Sequence, residues 1–170
     1  MSRTRFNRMN CAVAQALDQI GDWWTLLIVR EAIYGKSSFS EFQESLGIAR
    51  NILAGRLKRL VDAGIFVRTQ RRPEVDRHSY HLAPKGRALL PVVIALGQWG
   101  DRWVVGRGAE PVRVLDAKTR KPIEAISVRS SAGDPLSIED LLFFPGRGAE
   151  PKLRRLLELR NKPNKAARSG

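Results

Sequence analysis

Apolar residues recur at helical spacing in the first third of the chain and predict consecutive helices. The first helix covers residues 11–21, and its apolar positions are Val13, Ala14, Leu17 and Ile20. Gly21 ends this pattern, and Asp22 can cap the helix that follows. The second helix, residues 23–34, is apolar around nearly its whole surface. Because such a helix has no face suited to water, we expect it at the centre of the core.

A turn pattern and two further helices follow. Ser38, with Glu41 three residues later, matches a capping box, in which the two side chains satisfy backbone donors at a helix start. Gly47 marks the next turn, and the helix after it is predicted over residues 49–63. The inner face of that helix carries Leu53, Leu57, Leu60 and Val61. Its outer face is polar and basic, with no acidic residue before Asp62.

The next segments predict a two-stranded ribbon and a long helix. Residues 65–70 and 79–82 have the character of strands, and the arginine-rich residues 71–77 lie between them. Pro84 suits the first turn of a helix that is predicted to continue to residue 105, with apolar positions at Leu89, Val92, Val93, Leu96, Trp99 and Trp103. The order helix, turn, helix and ribbon predicts a mainly α (α+β) fold of the winged helix-turn-helix type.

The rest of the chain predicts an extension of different character. Val112 and Val114 before the polar residues 116–121, and Ile126 and Val128 after them, predict a small β-hairpin. Residues 152–160 predict a short basic helix. We therefore divide the chain into four parts. These are a flexible basic arm at residues 1–10, a winged helix-turn-helix domain at 11–106, a C-terminal extension at 107–160 and a disordered tail at 161–170.

The charge of the chain narrows the class of partner. The formal net charge is +13 and the sequence pI is about 11.0, which favours nucleic acid, with an acidic membrane surface as the second candidate. No apolar run approaches the roughly 20 residues that cross a bilayer, and residues 1–10 lack the apolar core of a signal peptide. We expect a cytoplasmic protein that does not bind membranes, since residues 152–160 offer too small an apolar face.

The scarcity of cysteine and histidine argues against metal and catalytic sites. Cys11 is the single cysteine, and His78 and His81 are the only histidines, so neither an internal disulfide nor a cysteine-paired zinc site is expected. The sequence has no Ser-His-Asp order and no glycine-rich loop of the kind that binds phosphate. We expect no cofactor and no enzymatic activity.

The helix predicted at residues 49–63 carries the candidate DNA contacts. The major groove admits one helix, and residues at the start of that helix reach base edges. Arginine can bind guanine and asparagine can bind adenine through two hydrogen bonds each, so we predict that Arg50 and Asn51 contact bases. The candidates for contacts with the phosphate backbone are Ser38, Arg56, Lys58 and Arg59, together with Arg71, Arg72 and Arg77 in the predicted wing.

Other roles compete with DNA contact for several of these residues. An ion pair with Asp62 or another acid explains Arg56 and Arg59 as well as a phosphate contact does, whereas for Lys58 we favour DNA. Asn51 can bond locally at a helix start. Trp23, Trp24, Trp99 and Trp103 fit core or dimer contacts better than base stacking. For the whole protein, the alternative is a nucleoid-type or RNA-binding basic protein with little sequence preference.

The residues placed so far resemble the HxlR-type family of bacterial winged helix-turn-helix transcriptional regulators. The resemblance covers residues 9–105 and rests on Cys11-Ala-Val, Trp24-Thr-Leu-Leu-Ile-Val-Arg-Glu31, Phe39-Ser-Glu-Phe, Gly47-Ile48, Lys85-Gly-Arg-Ala-Leu-Leu-Pro91 and Trp99-Gly-Asp-Arg-Trp103. It implies a homodimeric regulator, here expected to be a repressor, with residues 84–105 as a long dimerisation helix. The implied dimer contacts are Val13, Leu17, Leu96, Trp99 and Trp103. A palindromic operator with half-sites about 34 Å apart follows from such a dimer.

The resemblance also implies regulation by a small-molecule effector or an electrophile. Some members of the family use a cysteine at the place of Cys11 to sense oxidants, and a thiol near a dimer axis can form a bridge between chains. The competing interpretation is that Cys11 is a small, partly buried hydrophobe. An effector pocket between the core helix and the long helix, lined by Trp23, Trp99 and Trp103, is a further hypothesis.

Overall fold

The computed structural model describes residue 6 and residues 9–72, 75–106 and 108–161, and the side chains of residues 71–77 and 160 lie outside that description. Within these ranges the elements are α1 (Ala12–Ile20), α2 (Trp23–Ile33), α3 (Phe39–Leu46), α4 (Arg50–Asp62), β1 (Phe66–Arg72), β2 (Val75–Leu82), α5 (Pro84–Arg87), α6 (Leu90–Gly100), a π-helical turn (Asp101–Val105) and α7 (Pro151–Arg160). The predicted α+β winged helix-turn-helix class is confirmed. Arg3, Arg5 and Arg8 of the predicted arm, and residues 162–170, fall outside the described residues.

The chain forms two compact units. One is continuous, from Gln19 to Ile126, and contains α2 to α6 with the ribbon. The other combines the segment up to Asp18 with the chain from Ser127 onward. In this second unit, the side chain of Asn10 donates to the carbonyl oxygen of Gly148 at 2.9 Å and accepts from the backbone N–H of Glu150 at 3.0 Å. These bonds attach residue 10 to the segment that leads into α7.

The core of the first unit is built from α2, α3, α4 and the start of the ribbon. Its fully buried side chains are Ile28, Val29, Phe42, Leu53, Leu57, Leu60, Ile65 and Phe66. The rings of Phe42 and Phe66 pack edge to face, with centroids 6.3 Å apart. The apolar helix α2 lies at the centre of this cluster, and the inner face predicted for α4 is the face that is buried.

Local capping fixes the starts and ends of the central helices. The carboxylate of Asp22 accepts from the N–H of Trp24 and so caps α2. Ser38 and Glu41 form the predicted capping box at the start of α3. Between α3 and α4, Gly47 has φ 59°, a left-handed conformation that residues with a side chain rarely adopt. The turn of the helix-turn-helix therefore depends on a glycine at this position.

The two strands form an antiparallel ribbon that is attached to the start of α3. Phe66 lies opposite Leu82 and Arg68 opposite Tyr80, and the register shifts between Gln70 and Arg72. The N–H of Tyr80 donates to the carbonyl oxygen of Ser37 at 2.7 Å, and Ser38 forms an isolated bridge with Ser79. These backbone contacts hold the wing beside the helix-turn-helix.

The continuous helix predicted from residue 84 to 105 is wrong, because the structure contains a short helix, a break and a second helix. α5 ends at Arg87, and α6 begins at Leu90 with Pro91 in its first turn. In a continuous helix, Pro91 could not donate to the carbonyl of Arg87, and its ring would clash with that carbonyl. Proline is compatible with a helix only in the first turn, so the chain starts a new helix there.

The turn of the hairpin predicted in the extension is present, and it is closed by an isolated bridge. The N–H of Ile123 donates to the carbonyl oxygen of Val114 at 3.2 Å, and the N–H of Asp116 donates to that of Lys121 at 2.9 Å. Leu115 forms an isolated bridge with Pro122, so the chain turns at the predicted residues 116–121. Pro122 has no N–H to continue a ladder, which is consistent with an isolated bridge in place of a strand pair. In the described part of the extension, this turn is closed by an isolated bridge and not by two regular strands. The helix predicted at residues 152–160 is confirmed as α7.

Candidate DNA-binding surface

Helix α4 presents a polar face because its leucines anchor the other face in the core. Leu53, Leu57 and Leu60 are buried, whereas Asn51, Gly55, Lys58 and Arg59 are exposed. An open groove of about 180 Å³ on this side is lined by Asn51, Ile52, Gly55, Arg56 and Arg59. The fold thus brings three of the predicted DNA contacts into one groove.

The start of α4 is exposed and carries the two predicted base contacts. Arg50 is the first residue of the helix, and its Cζ lies 5.2 Å from the ring centroid of Phe39 in α3. A guanidinium at this distance from a ring is attracted to the ring face, which restrains the side chain without neutralising it. Asn51 is exposed beside it. The cap residue Ala49 makes no side-chain bond to the helix start.

Arg56 is bound to an acid of another helix. Its Nη2 lies 2.7 Å from Oδ2 of Asp22, and about a fifth of each side chain is exposed. The same carboxylate accepts from the N–H of Trp24 through Oδ1 at 3.1 Å. Asp22 therefore caps α2 and fastens α4 to it, which is the ion-pair alternative considered for Arg56, with Asp22 as the acid.

Lys58 and Arg59 differ in their surroundings. Nζ of Lys58 lies 2.6 Å from Oδ2 of Asp62 one turn later, and both side chains are more than half exposed. Such exposed helix pairs contribute only about 0.3–0.5 kcal/mol, so a phosphate could replace the carboxylate. Within the described residues, the guanidinium of the exposed Arg59 has no acidic partner.

The remaining predicted phosphate contacts lie on α3 and the ribbon. The hydroxyl of Ser38 accepts from the N–H of Glu41 and donates to its carboxylate at 2.8 Å, so it is occupied by capping. The side chains of Arg71, Arg72 and Arg77 lie outside the described part of the structure, although their backbones belong to β1 and β2. Arg68, exposed on β1, is an additional cation that precedes the arginine-rich stretch.

A buried carboxylate joins α2 to α3, and the sequence reasoning missed it. Glu31 is 3% exposed, and its carboxylate accepts from Arg30 at 2.6 Å, from Ser45 at 2.8 Å and from Lys36. Burial raises the pKa of Glu31, but the hydrogen bonds from Lys36, Arg30 and Ser45 outweigh it and bring the pKa below its usual value. A carboxylate within an otherwise apolar helix was the feature that could have revealed this role.

Comparison with known proteins assigns the family. The sequence model of the HxlR-like helix-turn-helix family matches residues 19–107. The chain belongs to this family. It is also 32% identical to an uncharacterized HTH-type transcriptional regulator of Mycobacterium tuberculosis strain H37Rv, over 84% of this chain and 90% of that protein. YvaP of Bacillus subtilis, another uncharacterized HTH-type transcriptional regulator, is 31% identical over 53% of this chain and 84% of its own length.

Solved structures of similar proteins extend the likeness beyond the HxlR-like domain. PA1607, a candidate transcription factor, is 40% identical and superposes with a TM-score of 0.75 over 81% of this chain and 96% of its own. PA1374 of Pseudomonas aeruginosa, also a candidate transcription factor, is 29% identical with a TM-score of 0.61 over 86% and 99%. These shares exceed residues 19–107, so part of the chain outside the HxlR-like domain also has counterparts in both proteins.

The reduced form of the redox regulator HypR is similar to about half of this chain. It is 31% identical, with a TM-score of 0.50 over 53% of this chain and 90% of its own. In the present chain, Cys11 immediately precedes α1 and is exposed. The thiol of Cys11 is therefore not buried within its own chain.

Large apolar side chains are exposed at each residue predicted to form the dimer interface. In α6 and the π-helical turn these are Leu96, Trp99 and Trp103, each more than half exposed. In α1 they are Val13 and Leu17. Exposed apolar residues clustered on one helix of an HxlR-like protein are typical of an interaction surface.

Two further findings concern other kinds of site. Among the described residues, no three His, Cys, Asp or Glu side chains are grouped in a way that could hold a metal ion. No described helix has both the length and the apolar character needed to span a bilayer.

Proposed function

We propose that this HxlR-like protein is a sequence-specific DNA-binding repressor that acts as a homodimer. The observation that carries the proposal is the outer face of α4. There, Arg50 and Asn51 stand exposed at a helix start with no side-chain cap, and Arg59 follows without an acidic partner among the described residues. A recognition helix in the major groove needs this arrangement, since its first residues meet base edges and its later cations meet phosphates.

The proposed mechanism assigns different tasks along α4. Arg50 binds guanine and Asn51 binds adenine, which selects the operator. Arg59 and Lys58 contact phosphates and fix the position of α4 along the DNA. When DNA binds, a phosphate replaces Asp62 as the partner of Lys58. Arg71, Arg72 and Arg77 contact the flanking backbone or minor groove from the wing, and Ser38 approaches the phosphates at the start of α3. Arg56 acts chiefly through its ion pair with Asp22.

The homodimer follows from the exposed apolar residues of α1, α6 and the π-helical turn. Val13, Leu17, Leu96, Trp99 and Trp103 would be covered by the same residues of a second copy, as in a two-fold interface. The two helix-turn-helix units related by such an axis would bind half-sites about 34 Å apart, so the operator is a palindrome. We propose a repressor, in which the bound dimer competes with polymerase for promoter DNA. The protein would act on chromosomal DNA in the cytoplasm, without catalysis and without a cofactor.

A mobility-shift titration tests this function. Fragments selected from the source genome by the full chain supply the cognate duplex, and a random duplex of equal length and a matched RNA are the competitors. We expect the cognate duplex to bind at least about 1,000-fold more tightly than random DNA at physiological salt. Equal affinity for the three ligands would instead support the nucleoid-type or RNA-binding alternative. Transcription in vitro from the selected promoter, with and without protein, tests repression.

Redox regulation through Cys11 is a second proposal, favoured by the exposure of its thiol and by the similarity to HypR. An exposed thiol near a dimer axis can be oxidised to an inter-chain disulfide. We expect diamide to produce a cross-linked dimer and to lower operator affinity. Cys11→Ser should show neither change. Unchanged operator binding after diamide, or an equal change in Cys11→Ser, contradicts this proposal.

A further inference from the structure

A cavity of about 580 Å³ lies within the unit of residues 19–126, between the end of α2, helix α6 and the extension. Its volume is in the range of sites that bind drug-sized molecules, which is about 300–1,000 Å³. The apolar part of its lining comes from the end of α2, from α6 and from the extension, and includes Ile33, Tyr34, Val93, Gly97, Val112 and Ile123. This lining suits the hydrocarbon body of a small ligand.

The outer wall of the cavity is fixed to α6 by Gln98. The side chain of Gln98 donates to the carbonyl oxygen of Glu124 at 3.2 Å and accepts from the N–H of Ile126 at 2.8 Å. Within the wall, the N–H of Ile123 donates to Val114 at 3.2 Å. The extension is therefore held against α6 by hydrogen bonds at the edge of the cavity, and the space is built into the fold of this unit.

The charged side chains in the lining leave one carboxylate unmatched. Arg30 is bound to Glu31 at 2.6 Å. Glu110 accepts from the N–H of Gly108 at 3.0 Å, and this bond, with the charge of Arg113, keeps the pKa of Glu110 below its usual value. Both arginines of the lining thus have an acidic neighbour.

Asp101 is the acid that remains. It is half-buried, and within the described residues its carboxylate has no hydrogen bond or ion pair. Asp101 also begins the π-helical turn, in which the N–H of Gly106 donates to the Asp101 carbonyl oxygen at 2.9 Å. Such widened turns are rare in helices and occur frequently at functional sites.

We propose that this cavity binds a small amphiphilic cation, an organic amine whose hydrocarbon body fills the apolar lining and whose ammonium group pairs with Asp101. The Asp101 carboxylate selects the class of ligand, because it would repel an anion and a neutral molecule would leave it unpaired. The wall also contains Arg30, which shares the Glu31 carboxylate with Ser45 of α3. A bound ligand therefore contacts Arg30, which is linked to α3 of the helix-turn-helix through Glu31 and Ser45. We infer that binding changes the affinity for DNA, and only this regulatory step rests on the proposed function.

Binding is tested on the full chain without DNA, by titration calorimetry with three probes of one skeleton. The probes are 4-phenylbutylamine, 4-phenylbutanol and 4-phenylbutyrate. We expect the amine to bind at least about tenfold more tightly than the alcohol, and the carboxylate to bind most weakly. Asp101→Asn should remove the preference of amine over alcohol. The proposal is overturned if the alcohol or the carboxylate binds as well as the amine, or if Asp101→Asn keeps the preference.

A matched pair of glycine substitutions tests the location. A Cβ added at Gly97 or at Gly100 meets no atom within 4 Å, and both residues lie in α6, but only Gly97 lines the cavity. Gly97→Leu should fill the space and abolish amine binding, whereas Gly100→Leu should bind the amine as the natural protein does. Equal amine binding by Gly97→Leu and Gly100→Leu overturns the site. Both variants should show the helical circular dichroism of the natural protein.

Regulation is tested separately with the selected operator. We expect a saturating concentration of the amine to lower operator affinity in the natural protein and to leave that of Gly97→Leu unchanged. If the amine binds and operator affinity does not move, the regulatory step is overturned and the binding site stands. If the unliganded protein binds no operator specifically, the proposed function fails, and calorimetry still decides the cavity.

Discussion

Nη2 of Arg56 in the recognition helix α4 lies 2.7 Å from Oδ2 of Asp22, the residue that caps α2. The arginines of α4 are therefore not equivalent. Arg56 joins two helices of the core, while Arg59, three residues later, is exposed and has no acidic partner in the described part of the chain. The distinction separates a structural cation from a cation that can meet phosphate.

Replacing Arg56 by alanine should lower stability, whereas replacing Arg59 should lower DNA affinity. Arg56→Ala leaves Asp22 without its cation and should lower the free energy of unfolding by about 1 kcal/mol. Arg59→Ala should leave stability unchanged, weaken cognate and random DNA equally, and reduce the slope of log affinity against log salt by about 1. Urea unfolding and salt titrations measure these effects. If Arg59→Ala weakens binding of the cognate duplex and not of random DNA, Arg59 contacts a base and not only a phosphate.

Replacing the residues at the start of α4 should change selectivity more than general affinity. We expect Arg50→Ala and Asn51→Ala each to lose about 1–3 kcal/mol of discrimination at one base position, because each removes a bidentate contact. Binding to random DNA should change much less. A selection of bound sequences with each variant measures the loss. If a variant retains full selectivity, the residue that it replaces does not contact a base.

The contact of Gly86 with the backbone of Ile65 predicts an effect on stability. A Cβ added at Gly86 would lie 2.2 Å from the carbonyl oxygen of Ile65, closer than real contacts allow. Gly86→Ala must therefore move α5 away from the ribbon, and we expect a loss of about 1–3 kcal/mol of unfolding free energy. Gly55→Ala is the control, since a Cβ there meets nothing within 4 Å. It should stabilise α4 by about 0.5–1 kcal/mol.

The low pKa of Glu31 predicts acid sensitivity. A carboxyl with a pKa below its usual value of 4.5 stabilises the fold above that pH, and the contribution is lost as the pH falls through the folded pKa. Between about pH 7 and about pH 3, the unfolding free energy should therefore fall more in the natural protein than in Glu31→Gln. Ser45→Ala, which removes one of the hydrogen bonds, should lie between them. Parallel curves for all three proteins would contradict the role given to this carboxylate.

The proposed dimer predicts a change in mass when charge is placed on α6. Leu96→Glu should give a monomer in sedimentation equilibrium, because a two-fold contact would bring two carboxylates together in an apolar interface. Leu156→Glu is the control, since Leu156 is about as exposed as Leu96 but lies on α7. It should leave the dimer intact. If the natural protein is a monomer at concentrations that bind the operator, a palindromic site is no longer expected.

Short-range features of this chain could be predicted because they depend on residues a few positions apart. The spacing of Leu53, Leu57 and Leu60 determines which side of α4 is buried, and Ser38 with Glu41 determines where α3 starts. Pro91 was overlooked, although its effect on a helix interior is equally local. The break before α6 was therefore predictable from the sequence. In the extension, the polar residues 116–121 predicted the turn, but alternating valines could not show that only an isolated bridge forms beside it.

The sequence by itself determined the helices α1 to α4 and α7, the ribbon, the basic outer face of α4 and the resemblance to HxlR-type regulators. Only the tertiary structure decided which charged groups meet. Asp22 pairs with Arg56, Glu31 also accepts a hydrogen bond from Ser45 of another helix, and Asp101 lies in a cavity lined in part by the extension. The physical reason is that helical periodicity is set within one turn of chain. An ion pair or a cavity instead requires a match within a few tenths of an ångström between segments that only packing brings together.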